Sequence, residues 1–220
     1  MTLTPIAHIE TDFKEKFGIP RQSGLVPDLR GTIRFEPAFQ QGDILRGLEG
    51  FSHLWLIWGF SRAEGWTPTV RPPRLGGNTR LGVFATRSPH RPNPLGLSVV
   101  EIAGIDTGII HVQGVDLLDG TPIYDIKPYV PYADSIPNAK GGFADTPPAA
   151  VLEVQVPDQL LRKLPIDKQV ALVQVLALDP RPSYQDDPNR VYGFSFAGFE
   201  VRFQVAGNVL TVLDVEVTHP

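Results

Sequence analysis

No cysteine occurs in the 220 residues. Disulfides, thiolate metal sites and cysteine nucleophiles are excluded together. No run of 18 consecutive apolar residues is present, and no basic stretch followed by an apolar segment opens the chain. A membrane span and a secretory leader are therefore not expected, and the cytoplasm is the economical location. The common cofactor and hydrolase fingerprints are missing too. There is no Gly-x-Gly-x-x-Gly, no phosphate-loop Gly-x-x-x-x-Gly-Lys, no His-Glu-x-x-His and no Gly-x-Ser-x-Gly. A dinucleotide fold, a phosphate loop, a zinc hydrolase and an elbow-type serine hydrolase have no support, and no metal is expected. Nor do basic residues dominate: 20 Lys+Arg stand against 24 Asp+Glu, for a net charge of −4. That argues against loose binding to long nucleic acid, and leaves room for a structured RNA held by one local basic patch.

Proline and glycine are plentiful, at 22 and 21 residues, and they are scattered. Such a distribution marks many turns between short strands, so a mainly β fold is expected. Strands are predicted at residues 3–10, Gly31–Glu36, Phe51–Phe60, Arg80–Thr86, Leu95–Ile102, Ile109–Leu117 and Thr121–Asp125. Phe51–Phe60 is almost continuously apolar and reads as a buried core strand, with His53 a satisfied core histidine rather than a ligand. Gly42–Leu48 has room for one or two helical turns, and Lys127–Ala144 reads as an irregular excursion. After Thr146-Pro147-Pro148 the pattern changes. A strand at Val151–Val156, a short helix at Asp158–Lys163 capped by Asp158, and a helix over Lys168–Leu178 are predicted there. A closing hairpin of Val191–Val205 and Asn208–Val217 around Gly207-Asn208 follows. These make a small α+β unit over residues 149–220.

The feature around which the rest is arranged is residues 71–98, R-P-P-R-L-G-G-N-T-R-L-G-V-F-A-T-R-S-P-H-R-P-N-P-L-G-L-S. Arg71, Arg74, Arg80, Arg87 and Arg91 fall here without one Asp or Glu between them. Prolines and glycines forbid a helix through most of it. An arginine run is most often a solvated face, and a proline-rich loop is most often a connector. A connector has no use for Arg-Pro-Asn-Pro, where two prolines restrain the backbone on either side of Asn93. A stiff loop bearing guanidinium groups is suited to an anionic ligand.

A second run, residues 114–132, reads G-V-D-L-L-D-G-T-P-I-Y-D-I-K-P-Y-V-P-Y. With Pro20-Arg21-Gln22, Gly50-Phe51-Ser52-His53-Leu54-Trp55, the whole of 70–98 and Asp179-Pro180-Arg181-Pro182, it covers nearly the full length. In these residues the chain resembles the TsaA-like (TrmO-type) family of tRNA methyltransferases. The resemblance implies a β-barrel S-adenosylmethionine-binding domain over residues 1–148, followed by the α+β unit. It implies transfer of a methyl group to N6 of threonylcarbamoyl-adenosine beside the tRNA anticodon, and a homodimer. By the same carry-over the cofactor site takes Pro20, Arg21, Gln22, Ser61, Arg62, Arg87, Leu97, Leu118, Asp119, Gly120 and Thr121. On residues alone, Pro20–Gln22 is a polar loop, and Asp116–Thr121 is a strand end with an Asp-Gly turn that supplies acceptors and apolar walls.

The acceptor nitrogen implied by the family is bonded to adenine and to a carbamoyl group, so it is a poor nucleophile until its proton leaves. Alignment with the methyl donor is the expected chief device. Arg91 and Asn93 are expected to stabilise the developing charge, and Arg87 or Arg91 to fork the threonyl carboxylate. Asp119 or Asp125 is the expected general base; nothing in the sequence selects between them, and Asp125 is grouped with Arg91 and Asn93 as the catalytic set. Arg71, Arg74, Arg80, Arg181 and Tyr184, with Arg190 and Tyr192 nearby, are expected to meet the anticodon loop. Two readings of another kind stay open: a non-catalytic RNA- or nucleotide-binding barrel, and methyl transfer to a different acceptor.

Overall fold

Alternating segments in the first half of the chain fold into the strands of one closed barrel. The computed structural model describes residues 2–146, 152–181 and 187–218. β1 (Ala7–Thr11), β2 (Arg30–Phe35) and β3 (His53–Gly59) are followed by a two-residue ladder of β4 (Thr69–Val70) with β5 (Leu81–Gly82). β6 (Leu95–Asp106), β7 (Ile109–Gln113) and β8 (Thr121–Pro128) complete the set. The barrel order is β1-β2-β7-β6-β3-β8. β8 closes on β1 in antiparallel register, with Ile9 opposite Thr121. Side chains alternate as a pleated strand demands, so Ile9, Ile33, Leu54, Leu56, Ile110 and Ile123 are fully buried inside. Among the described residues the buried polar side chains are Ser98 and Thr121.

β3 is not buried on both faces as its composition led us to expect. Leu54, Leu56 and Trp58 point inward, while His53, Trp55 and Ile57 are half-buried on the outer face. The apolar outer face is covered locally, because the chain returns after β8 as Tyr129 and a short helix α1 (Pro131–Asp134). Tyr129 tilts against Trp55 and His53, and Trp55 Nε1 donates to Asp134 Oδ2 at 3.0 Å. His53 is thus a satisfied residue of the outer face rather than of the core, its Nδ1 lying 2.8 Å from Ser52 Oγ.

The second unit holds β9 (Glu153–Gln155), α2 (Asp158–Leu161), α3 (Ile166–Ala177), β10 (Tyr192–Phe196), β11 (Phe199–Ala206) and β12 (Val209–Val217). Its sheet runs β10-β11-β12-β9, with β9 parallel to β12. The predicted helix over 168–178 is α3, and its stripe of Ala171, Leu172, Val175 and Leu176 is buried. Its core is continuous with that of the barrel. The join is residues 12–28, the loop between β1 and β2. Phe13 meets Phe196 edge-on at 5.6 Å, Phe17 meets Phe194 at 6.2 Å, and Lys168 Nζ lies 2.7 Å from Asp12 Oδ2.

Several elements differ from expectation for local reasons. Arg80–Thr86 is a strand only at Leu81–Gly82; Val83–Ala85 then turns as a 3-10 helix, closed by Thr86 Oγ1 donating to Val83 O at 2.8 Å. Asp158 is the first helical residue of α2, Pro157 holds the cap position, and no side chain caps the helix. Val191–Val205 is two strands, because Ala197 and Gly198 both take positive φ and reverse the chain. β6 and β8 run further than expected, to Asp106 and Pro128. The expected boundary at residue 148 lies outside the described residues.

Candidate functional site

The ends of β3, β6 and β8 open on a cavity of about 560 Å³ at one mouth of the barrel. Four segments distant in sequence line it. The β1–β2 loop brings Pro20, Arg21 and Gln22, with Lys16 at the edge. The segment after β3 brings Ser61 and Arg62 beyond the aromatic pair Trp58 and Phe60, whose rings meet edge-on at 4.4 Å. The basic loop brings Arg87, Arg91 and Asn93, and β6 brings Leu97. The β7–β8 turn brings Asp116, Leu118 and Thr121.

Hydrogen bonds fasten these segments to one another. Arg87 Nη1 donates to Gln22 Oε1, and Gln22 Nε2 donates to Arg21 O at 2.5 Å, tying the basic loop to the β1–β2 loop. Lys16 Nζ donates to Arg62 O at 3.0 Å. Arg91 Nη1 lies 3.4 Å from Thr86 O and 3.5 Å from Ser88 O, so its guanidinium braces the proline loop from within. Asn93 is exposed, and its backbone carbonyl accepts from Leu95 N at 2.7 Å.

At the inner side of the cavity Trp58 Nε1 donates to Ser98 Oγ at 3.0 Å, and Ser98 Oγ donates to Asp116 Oδ1 at 2.7 Å. Gly96 makes this possible, since a β-carbon there would sit 2.2 Å from the Trp58 ring. Burial pushes the Asp116 carboxyl up to about 6; the Ser98 hydroxyl, the backbone N–H groups of Asp116 and Ser23, and the charge of Arg87 act against that rise. Asp116 is the one carboxylate lining the cavity among the described residues.

Not every residue expected at the site is there. Asp119 turns away: its Oδ1 accepts from Thr11 N at 2.9 Å and its Oδ2 from Lys14 Nζ at 2.5 Å. Gly120, at φ +72°, donates its N–H to Ile9 O at 2.8 Å, so this pair shapes the turn without lining the cavity. Asp125 lies within β8, four residues past Thr121, or about 13 Å along the strand. It pairs with Lys127 at 2.8 Å and is outside the cavity. Arg71, Arg74 and Arg80 are exposed and do not line it; Arg80 Nη1 donates to Thr69 Oγ1 at 3.0 Å. Arg181 turns inward and clasps Asp179 through Nε and Nη2, each at 2.9 Å. Tyr192 is buried and stacked on Phe203, with Arg190 over its ring. Tyr184 lies outside the described residues.

Two family models match: the tRNA-methyltransferase O N-terminal domain over residues 8–135, and the TrmO C-terminal domain over residues 149–218. The chain belongs to the tRNA-methyltransferase O family. The tRNA (adenine(37)-N6)-methyltransferase of Escherichia coli is 44% identical over 225 residues, covering 96% of both chains. A Pseudomonas aeruginosa protein, provisionally named the S-adenosylmethionine-dependent methyltransferase RcsF, is 46% identical over 97% of both chains. A crystal structure of TrmO from the same species superposes with a TM-score of 0.84 at 40% identity, covering 99% of this chain and 97% of that one. The cavity lies where the β1–β2 loop, the basic loop and the β7–β8 turn meet. Its polar inner side joins Trp58, Ser98 and Asp116 from three separate elements. In the sequence Asp116 is one acceptor among several and Trp58 and Ser98 have no evident role, since no local pattern links residues so far apart.

No helix of the described residues is long and apolar enough to cross a membrane. Among the described residues no group of three His, Asp or Glu is arranged to hold a metal.

Proposed function

We propose that this protein is an S-adenosylmethionine-dependent tRNA (adenine-37-N6)-methyltransferase, and that the adenosine it modifies already carries an N6-threonylcarbamoyl group. The observation that carries the reading is the single cavity in which Pro20–Gln22, Arg87–Asn93 and the Leu118–Thr121 turn converge. Its size and character suit the cofactor. About 560 Å³ lies within the range of small-molecule sites, and Trp58, Phe60, Leu95 and Leu118 give apolar walls for an adenine ring. Thr121 and the backbone of the β7–β8 turn offer hydrogen bonds, and Arg87 with Arg21 offers a partner for a carboxylate. Bound there, S-adenosylmethionine supplies a methyl group activated on a sulfonium sulfur.

The chain's own part is to hold and orient. Asn93 offers an amide donor and acceptor at the cavity edge, on backbone stiffened by Pro92 and Pro94, so an acceptor base held by it has little freedom left to lose. Arg91 beside it favours negative charge on the nitrogen and carbamoyl group of the acceptor. A guanidinium fork from Arg87 or Arg91 matches a threonyl carboxylate. Bases of an anticodon loop are unstacked and accessible to such a rim, and Arg71, Arg74 and Arg80 add exposed positive charge to the same segment. A tRNA substrate is in keeping with a cytoplasmic location. Exposed Phe84, Tyr132 and Ile136 support a homodimer, which light scattering in solution would test.

The deciding experiment uses methyl-labelled cofactor and two tRNA preparations, with and without the threonylcarbamoyl group, followed by nucleoside digestion. Label confined to threonylcarbamoyl-adenosine is the expected result. Label on another nucleoside redirects the acceptor, and no label with cofactor binding intact makes the barrel a binding module.

A further inference from the structure

The charges lining the cavity are unequal. Lys16, Arg21, Arg62, Arg87 and Arg91 bring five cations, and Asp116 brings the one carboxylate among the described residues. Such a lining favours anions. Yet S-adenosylmethionine, as proposed above, carries two positive groups, a sulfonium and an ammonium, against one carboxylate. Its negative end has several partners to choose from. Its positive part has one.

Asp116 is built for that role. Serine and tryptophan hold it from behind, with Ser98 Oγ donating to Oδ1 at 2.7 Å and Trp58 Nε1 in turn donating to Ser98 Oγ at 3.0 Å. A carboxylate so far withdrawn from water ordinarily gains an ion pair. None of the ion pairs among the described residues includes Asp116. The charged group that acts on it is Arg87, through space, and Arg87 is itself engaged with Gln22. The other facing groups are uncharged: the Ser98 hydroxyl from β6 and the Ser23 backbone from the β1–β2 loop. A fixed, unpaired carboxylate in a cation-rich cavity fits a ligand that brings its own cation.

We infer that Asp116 is the counter-charge for the cationic part of S-adenosylmethionine, and the residue by which the cavity separates this cation from neutral adenosine thioethers. The inference rests on the cofactor reading above. It assigns Asp116 to cofactor recognition and leaves the acceptor proton to other groups.

The test is calorimetric binding, without turnover. Wild-type protein is titrated with S-adenosylmethionine and with neutral 5′-methylthioadenosine between about pH 5 and pH 7, a window that brackets the Asp116 value of about 6. The ammonium of the cofactor, with an ordinary value of about 7.7–8.0, stays protonated throughout, and no histidine lines the cavity. Ionisation of Asp116 across the window raises cofactor affinity about tenfold, with a proton released on binding at the acid end. Affinity for the thioether changes less than about twofold. In Asp116→Asn, cofactor affinity at pH 7 falls about tenfold or more and loses its pH dependence, while the thioether binds as to wild type. A common pH profile for both ligands overturns the inference, as does an Asn variant that weakens both ligands equally or leaves cofactor binding intact. Should the Asn variant fail to fold, the wild-type profiles decide alone. Failure of the wild type to bind S-adenosylmethionine at any pH overturns the functional reading, and this inference with it.

Discussion

Gly18 and Phe194 are packed so closely that a β-carbon on Gly18 would sit 2.5 Å from Cδ2 of the ring. Gly18 also takes φ +86°, a region that side chains other than glycine's avoid. Two residues later the chain reaches Pro20–Gln22, which line the cavity. The C-terminal sheet therefore sets the height of a loop in the site. Gly18→Ala should destabilise the protein by about 1–3 kcal/mol in urea unfolding, and weaken cofactor binding more than Gly47→Ala. Gly47 has a similar φ of +87° with open space around it. Equal cofactor affinity in both variants would break the link.

In the cofactor-free protein the partly desolvated charge of Asp116 is destabilising. Its folded-state value is raised from 3.8 to about 6, so the folded chain holds this proton more tightly than the unfolded chain. Stability is then lost as pH climbs from about 4 through 6, and the full loss, about 3 kcal/mol, is reached above 6. Asp116→Asn should stabilise the cofactor-free protein at pH 8 and leave it nearly unchanged at pH 4. Thermal melts at both values measure this, and an equal difference at the two pH values counts against it.

Asn93 and Asp125 should part company in kinetics. Asn93 is exposed at the cavity edge, whereas Asp125 lies along β8 beside Lys127. Asn93→Ala should lower turnover on modified tRNA by about 10²-fold with an unchanged melting temperature. Asp125→Asn should stay within about threefold of wild type. A large loss in Asp125→Asn would restore it as the general base.

Lys168 and Asp12 join α3 to the β1–β2 loop at 2.7 Å, with side chains only 22% and 12% exposed. Removing one partner leaves a largely buried charge without its ion pair. Lys168→Met should cost about 1–3 kcal/mol, and adding Asp12→Asn should recover part of that loss. A double-variant cycle in denaturant measures the coupling; simple additivity would show the pair to be inert.

How far the sequence carried these conclusions differs from residue to residue. The α3 stripe and the Gly207 turn are local patterns, and both are present in the structure. That Pro20–Gln22 faces Leu118–Thr121 is not local, since it follows from β8 closing on β1 a hundred or so residues later in the chain. Family resemblance supplied that meeting; periodicity had no means to. Nothing in the sequence selects between Asp119 and Asp125 as a base; in the structure β8 continues to Pro128, so Asp125 is held in mid-strand outside the cavity. The link from Trp58 through Ser98 to Asp116 crosses three elements, and each residue alone reads as ordinary.

The loop wedged between barrel and C-terminal sheet also bears on modularity. Phe13 is fully buried against Phe196, and Phe17 leans on Phe194. Severing the chain near residue 148 would turn these rings toward water and free the backbone that carries Pro20–Gln22. The two halves should therefore unfold as one cooperative unit, and an excised barrel would inherit the catalytic letters of this sequence without the mortar that sets them.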